Sequence, residues 1–397
     1  MSHSIEIVFW ALILLVLYTY IGYGVVLYVL ILIKRIFSTR QQLQKSYEPS
    51  VTLVIPCFNE EDYILDKALD SLSLDYPKSK LSILFITDGS TDRSVEILQK
   101  VEGVEVIHEE KRGGKAAAEN RAMKFVKTPI VIFCDANTML NKQCIREMVK
   151  HYQNDTVGGV SGEKRISMES QSNVSGAGEG MYWKYESLLK RLDSELYSVV
   201  GAAGELISFR SNLVQDLEED TILDDFVQSL RICEKGYKIV YEPKAYAVET
   251  GSENVTEELK RKIRIAAGGW QAMFRLRSLL NPFNNITLTF QYISHRVLRW
   301  SITAFSLPVI LILNIMMALE GGGVVYSVML YTQLLFYSMA LVGWIFEARM
   351  VRVKVLFVPY YFAIMNYAVF AGALRWINGS QKSMWEKSAR MKKANGM

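Results

Sequence analysis

Val131-Ile132-Phe133-Cys134-Asp135-Ala136-Asn137-Thr138 is an apolar run that stops at a carboxylate, with a second oxygen-bearing side chain two residues on. Such a run reads as a buried strand, and side chains alternate along a strand, so Asp135 and Asn137 are expected on one side of the chain. Oxygen ligands placed like this suit a hard divalent cation. Taken alone, an Asp at a strand end is also an ordinary turn residue.

The surrounding sequence repeats the same grammar. Val51-Thr52-Leu53-Val54-Ile55-Pro56 is a β-branched run ended by Pro, followed by Glu60-Glu61-Asp62 and a helical spacing of Ile64, Leu65, Ala68, Leu69 and Leu72. Leu81–Ile86 predicts a second strand, ending at Thr87-Asp88-Gly89-Ser90-Thr91-Asp92, where Thr91 or Asp92 would cap the next helix. Val104–Ile107 predicts a third strand. Gly113-Gly114 then breaks the chain before an Ala-rich helix from Lys115 to about Val126, and Ile130–Cys134 is the fourth strand. Strands alternating with helices imply a mostly parallel sheet covered on both faces. Ligands of such sheets bind at the carboxyl ends of the strands. Glu60, Asp88, Lys115 and Asp135 all lie at those ends or at a helix start, so one crevice could gather them.

That set suits a nucleotide diphosphate sugar. Carboxylates accept hydrogen bonds from a uracil N–H or ribose hydroxyls, and a Lys with a metal ion neutralises a leaving diphosphate. Lys115 at a helix N-terminus is electrostatically misplaced unless an anion sits there. Further on, Leu206–Arg210 reads as a strand, and Thr221-Ile222-Leu223-Asp224-Asp225-Phe226 opens a helix. Adjacent carboxylates at a helix start are explained by capping alone. Flanked by Leu223 and Phe226, however, desolvation and like-charge repulsion could make one of them a general base.

The apolar residues are clustered. Ile7–Ile33 carries no charge and is longer than a membrane-spanning helix needs. Ser301–Leu319, Gly321–Phe346 and Val355–Leu374 are also uncharged, with no comparable run between Lys34 and Arg299. The first span lacks a basic n-region and a cleavage site, so it is expected to be an anchor rather than a signal peptide. Lys34, Arg35, Arg40 and Lys45 follow it and place the polar domain in the cytoplasm. The net charge of +4 gives no case for nucleic acid. Cys57, Cys134, Cys144 and Cys233 form no C-x-x-C pair and are expected reduced.

Taken as a set, these residues resemble glycosyltransferase family 2, the inverting GT-A transferases that include membrane cellulose, chitin and hyaluronan synthases. Val54-Ile55-Pro56-Cys57-Phe58-Asn59-Glu60-Glu61 resembles the family's opening nucleotide-binding segment. Thr87–Asp92 resembles its uridine-contacting D-G-S-x-D turn, and Gly113–Ala118 with Asn120 its G-K-x-x-A-x-N segment. Asp135-Ala136-Asn137 stands at the metal-binding D-x-D position, and Asp224-Asp225 at the E-D position whose second acid is the base. The resemblance covers roughly Val51–Gln271. It implies a GT-A domain, Rossmann-like with a mostly parallel sheet, joined to transmembrane helices.

It further implies a donor site built from Pro56, Asn59, Glu60, Asp88, Lys115, Asp135, Arg264 and Trp270. Asp225 would be the base beside Asp224, and Asp135 with Asn137 would hold Mg2+ or Mn2+. The donor would be a nucleotide sugar, UDP-linked, and the acceptor a glycan, with one sugar placed on a lipid or lipid phosphate as the alternative. The multi-pass protein would sit in the inner membrane with its catalytic domain cytoplasmic. There are departures. Asn137 replaces the second Asp of D-x-D, and Ala266-Ala267-Gly268-Gly269-Trp270 stands where processive members carry Q-x-x-R-W. Only Trp270 fits there; Arg264 would substitute from one turn earlier.

The expected organisation is an anchor over residues 1–35, the GT-A domain over 48–280, an amphipathic interfacial helix over 281–300, a transmembrane block over 301–377 and a basic tail over 378–397. In the interfacial helix Phe283, Ile286, Phe290, Ile293, Val297 and Trp300 share a face that excludes His295, Arg296 and Arg299. Glu257–Arg277 is expected to rest on the membrane through Leu259, Ile263, Ala267, Trp270 and Phe274. Arg349, Arg352 and Lys354 precede Val355–Leu374, and Lys382, Lys387, Arg390, Lys392 and Lys393 follow it. Both groups favour the cytoplasm. The segment, with Pro359 and Asn366, is then a re-entrant or interfacial hairpin, or the positive-inside rule fails once.

Overall fold

The computed structural model describes residues 3–37, 47–167, 174–250, 255–348, 353–382 and 384. Arg40, Lys45, Arg349, Arg352 and the basic residues from Lys387 onward lie outside them.

The strands are β1 (Val51–Cys57), β2 (Leu81–Asp88), β3 (Glu105–Glu109), β4 (Ile130–Cys134), β5 (Thr138–Leu140), β6 (Val157–Ile166), β7 (Leu206–Arg210) and β8 (Lys238–Glu249). They form one sheet in the order β3-β2-β1-β4-β7-β6-β8-β5. The first four are parallel, β7 runs antiparallel between β4 and β6, and β8 pairs parallel to β6. Helices cover both faces, which is why β1 and β4 are buried at every residue and read as unbroken apolar runs. Alternate residues serve opposite cores: Val54, Val131 and Phe133 face one, Leu53, Ile55, Ile130 and Ile132 the other.

Two expectations about local structure change. β4 ends at Cys134, and 135–137 form a turn into β5, so strand alternation does not govern the Asp135 and Asn137 side chains. The second is the stretch 281–300: it is helical only from Ile286 to Trp300, with a π turn inside, and its polar face is not exposed. It comprises Ile286–Tyr292, a π turn Ile293–Val297 and Leu298–Trp300. Phe283 and Ile286 are exposed as expected, but His295 and Arg296 are buried. The polar face is turned into the protein because it has acidic partners there. His295 Nδ1 lies 2.5 Å from Asp193 Oδ2, Arg296 pairs with Glu186, and Arg299 Nη1 lies 3.2 Å from Glu186 Oε2.

Among the described residues, four helices are long and apolar enough to cross a membrane: His3–Phe37, Ile302–Leu319, Val324–Glu347 and Val355–Ile377. The first helix has two jobs. Its early part packs on the C-terminal helices, with Thr19 Oγ1 3.0 Å from Thr303 Oγ1. Its later part lays Tyr23 and Leu27 on Leu189 of the helix Val174–Leu196. Lys34 Nζ then donates to the Glu195 and Leu196 carbonyls at 2.7 and 2.8 Å, capping that helix's negative end.

The segment Lys354–Ile377 is one continuous helix with Pro359 in its second turn, so the hairpin reading does not hold. It lies along the helix Val255–Arg275. A Cβ on Gly372 would fall 2.5 Å from Ala266 Cβ and 2.7 Å from the Ala267 nitrogen. Trp376 stacks on Phe274 at 4.6 Å and on Trp270 at 6.0 Å. The apolar face of Val255–Arg275, expected to rest on lipid, is thus covered in part by this helix, with Phe274 still 58% exposed.

Candidate active site

The parallel strands β1, β2 and β4 deliver their carboxyl ends to one edge, as the topology demands. Pro56, Glu60, Asp88, Lys115 and Asp135 meet there around a narrow cleft of about 20 Å³. Arg112 lies over the Phe58 ring at 3.6 Å on its rim. Asn59 takes a left-handed conformation, φ 53°, and turns its side chain to the Thr91 amide at 2.8 Å. Asp92 accepts from the Ser94 amide at 3.0 Å, which fixes the start of the next helix.

Asp88 is committed within the protein. Its carboxylate accepts from the Gly113 amide at 3.0 Å, the Gly114 amide at 2.7 Å and Arg121 Nη2 at 2.7 Å. It therefore clamps the loop that aims Lys115. Gly114 has φ +93°, and a Cβ on Gly113 would fall 2.8 Å from Ala117 Cβ, so both positions require glycine.

Lys115 joins the two halves of the domain. Its Nζ donates to Asp135 Oδ1 at 2.8 Å, lies 3.3 Å from Asp224 Oδ2 and 3.9 Å from Glu119 Oε1. Burial alone would lower the lysine's pKa; Asp135, Asp224, Glu119 and Asp225 outweigh it and hold it well above its ordinary value. Asp224 is buried too, but the Lys115 charge keeps its pKa low. Asp225 goes the other way: burial, then the Asp224 charge, push it up to about 7. Two adjacent carboxylates thus part company, one ionised and one poised to exchange a proton. Burial also raises Asp135, against the pull of Lys115.

The segment before Asp224 is clamped from the helix Val255–Arg275. Arg264 Nη2 donates to the Ile222 carbonyl at 3.1 Å, and Gln271 Oε1 accepts from the Ile222 amide at 3.0 Å. A Cβ on Gly268 would sit 2.6 Å from Leu223 Cγ, and one on Gly269 2.5 Å from Trp300. Small residues replace the processive motif here because the helix approaches this segment closely.

Lys115, Asp135, Asp224, Asp225 and Arg264 all line a second, larger cavity of about 1060 Å³, which continues to Tyr20, Phe362 and Met365 on the apolar helices. Asn137 and Trp270 line neither space. Trp270 is taken up by Trp376 and by Phe305, whose ring centroid is 6.3 Å away.

Several residues in or beside the site escaped sequence reading. Glu119 sits one turn after Lys115, and burial beside Asp224 holds its carboxyl well above the usual range. Glu205 accepts from Lys164 Nζ at 2.7 Å, and Lys164 also pairs with Glu249. The one available signal was Gly201-Ala202-Ala203-Gly204. A Cβ on Gly204 would lie 2.9 Å from Asp225 Oδ2 and 3.2 Å from Lys115 Nζ, so a side chain there would fill the site.

Known proteins give the same picture. Residues 52–216 match Glycosyl transferase family 2. The poly-beta-1,6-N-acetyl-D-glucosamine synthase of Staphylococcus aureus (strain MSSA476) is 29% identical over 236 residues, 57% of this chain and 56% of that protein. The Staphylococcus epidermidis synthase is 26% identical over 246 residues, 60% of this chain and 58% of that protein. The chain thus spans a little over half the length of these curated relatives. Among solved structures, the mannosyltransferase PcManGT of Pyrobaculum calidifontis, in complex with GDP-Man and Mn2+, superimposes with a TM-score of 0.71. It is 20% identical, with 94% of this chain and 99% of that one covered, a likeness of fold. Residues 52–216 thus carry a match to glycosyltransferase family 2 within a GT-A fold, in a chain that also has apolar helices long enough to cross a membrane.

Proposed function

We propose that the protein is an inverting glycosyltransferase that moves a sugar from a nucleotide diphosphate sugar, UDP-linked, to a glycan acceptor at the membrane. The observation that carries this is Asp225. It lines the large cavity beside Lys115 and Asp224, with a carboxyl whose pKa is raised to about 7. An acceptor hydroxyl attacks the anomeric carbon and gives its proton to Asp225. The carbon–oxygen bond to the diphosphate breaks, and its electron pair leaves with the diphosphate. Lys115 and Arg264 face the charge that develops there. Pro56, Asn59, Glu60 and Asp88 shape the nucleotide end of the cleft. The polysaccharide synthases among the relatives support a glycan acceptor.

A divalent cation, Mg2+ or Mn2+, fits one mode of binding here. Among the described residues no group of three His, Cys, Asp or Glu forms a protein cage. A hard cation held by one carboxylate and substrate phosphates needs none, and Asp135 borders both spaces. Asp135 would hold the cation, which supplies charge neutralisation for the diphosphate, while Asn137, which borders neither space, has no geometric support as a second ligand. The Mn2+ in the Pyrobaculum enzyme is in keeping with this.

A lipid-borne acceptor is the second reading, favoured by the cavity's reach to Tyr20, Phe362 and Met365. Lys34 and Arg35 at the end of the first apolar helix support a catalytic domain on the cytoplasmic side of the inner membrane. Purified protein should release nucleoside diphosphate from its donor in the presence of acceptor. In Asp225→Asn, transfer should fall at least ~100-fold while donor binding stays. Near-normal transfer in that variant would refute the assignment.

A further inference from the structure

We infer that Arg296 is a positioning residue for the transfer reaction: it reaches in from the membrane-side helices and holds the wall 200–204 against Asp225. The inference rests on the base assignment above and adds a residue that acts through it.

Gly201-Ala202-Ala203-Gly204 forms one wall of the large cavity. At one end, a Cβ on Gly204 would lie 2.9 Å from Asp225 Oδ2, so the wall backs directly onto the carboxylate. The other end rests on Arg296, whose Nε donates to the Val200 carbonyl at 2.9 Å. A Cβ on Gly201 would fall 1.7 Å from Arg296 Nη2 and 2.3 Å from Cζ, so the guanidinium fills the space of a side chain there. Gly201 lies outside the left-handed region, so space rather than backbone conformation demands glycine. A second route runs through aromatic rings. Arg296 Cζ is 5.8 Å from the Trp300 centroid, and Trp300 meets Phe226, the residue after Asp225, edge-on at 5.2 Å.

Arg296 is itself fixed from the membrane side. It is buried and pairs with Glu186. Burial would raise the Glu186 pKa, but the Arg296 charge leads those that hold it well below its ordinary value. Glu186 belongs to the helix Val174–Leu196, which packs on Tyr23 and Leu27 of the first apolar helix through Leu189. Arg296 sits in the π turn Ile293–Val297, just ahead of the apolar helix Ile302–Leu319. Such turns are rare and concentrate at functional sites. A planar guanidinium can bond a carbonyl and a carboxylate together while lying flat on a glycine, which a lysine cannot do. Arg299 offers a control, since it pairs with the same Glu186 and donates to Tyr185 Oη on the same helix at 2.9 Å. A base works only within reach of its proton, so a wall that shifts should cost rate rather than donor binding.

Hydrogen exchange and kinetics on the full chain in detergent test this, with the UDP-sugar that the unaltered protein turns over. In Arg296→Ala, peptides covering 199–204 and 224–228 should both exchange faster. kcat should fall about 10- to 100-fold, the cost of misplacing a catalytic group by ~1 Å. Donor KM should change little, because Asp135 and Asp224 still hold Lys115. Gly201→Ala should reproduce both effects, since its methyl would meet the guanidinium. The double variant Gly201→Ala/Arg296→Ala should be no slower than Arg296→Ala alone. Arg299→Ala should leave exchange at 224–228 and kcat close to those of the unaltered protein. Unchanged exchange at 224–228 in Arg296→Ala overturns the proposal. So does full additivity of the two substitutions, or an equal loss of kcat in Arg299→Ala, which would make both arginines mere support for Glu186. Exchange is read without turnover, so an error in the base assignment shows as normal transfer in Asp225→Asn and does not imitate an error in this one.

Discussion

Lys115 Nζ and Asp135 Oδ1 lie 2.8 Å apart, which ties the helix after the Gly113-Gly114 loop to the end of β4. Through Asp224, 3.3 Å away, the same ammonium reaches the acids from the second half of the domain. The site is thus assembled around one cation.

The first prediction concerns pH. Asp225 must be ionised to take a proton, and its pKa is about 7. Transfer should therefore rise as pH increases through about 7. Asp224 contributes to the upward shift by its charge, so Asp224→Asn should move the inflection to lower pH. A kcat/KM profile flat from pH 5 to 9 would exclude Asp225 as the group titrating.

The second concerns the cation. Asp135→Ala and chelation should produce the same loss of donor binding, and the two should not add. Full activity in EDTA would contradict this. Asn137→Asp should tighten the metal if Asn137 is a ligand and leave it unchanged if not, as read by Mn2+ titration.

Packing supports the third. In Gly268→Ala the new methyl would fall 2.6 Å from Leu223 Cγ and 2.8 Å from Ile222 Cγ2. Overpacking of this kind costs about 1–3 kcal/mol, and the segment displaced leads directly into Asp224. Thermal unfolding should show the destabilisation and turnover should drop with it. An unchanged melting temperature would show that the helix yields freely.

Trp270 gives the fourth. Its ring is engaged by Trp376 and Phe305 rather than by the cavity. Trp270→Ala should lower stability and reduce transfer and donor hydrolysis alike. A double-mutant cycle with Trp376→Ala should give a coupling of about 0.5–1.5 kcal/mol. A selective loss of acceptor use would return Trp270 to the acceptor site.

The last addresses topology. Because Trp376 stacks on the catalytic domain, the carboxyl end of Lys354–Ile377 is expected on the same side of the membrane as Asp225. Single cysteines at Lys382 and Phe283 should label from the same face of sealed vesicles. Opposite labelling would require the helix to cross.

The local pattern of the chain carried β1, β2, β4 and the acids and lysine at their ends. Strands buried on both faces need unbroken apolar runs, and parallel topology sends their carboxyl ends to one edge, so each fact is written within a few residues. β6 was not legible, because Gly158, Gly159 and Gly162 dilute its apolar signal. They are there for close approach: a Cβ on Gly158 would lie 2.5 Å from Ile232, and one on Gly159 2.7 Å from Phe209.

Only the tertiary structure decided what covers each polar or apolar face. Periodicity placed His295, Arg296 and Arg299 together, but Glu186 and Asp193, about a hundred residues earlier, turn that face inward. The same holds for Trp270, whose stacking partner is Trp376, and for Asp225, whose raised pKa requires burial by segments far apart in the chain. A sequence pattern fixes which side chains share a face. Whether a charge on that face is paired, buried or left for a ligand depends on atoms that the chain brings near only by folding.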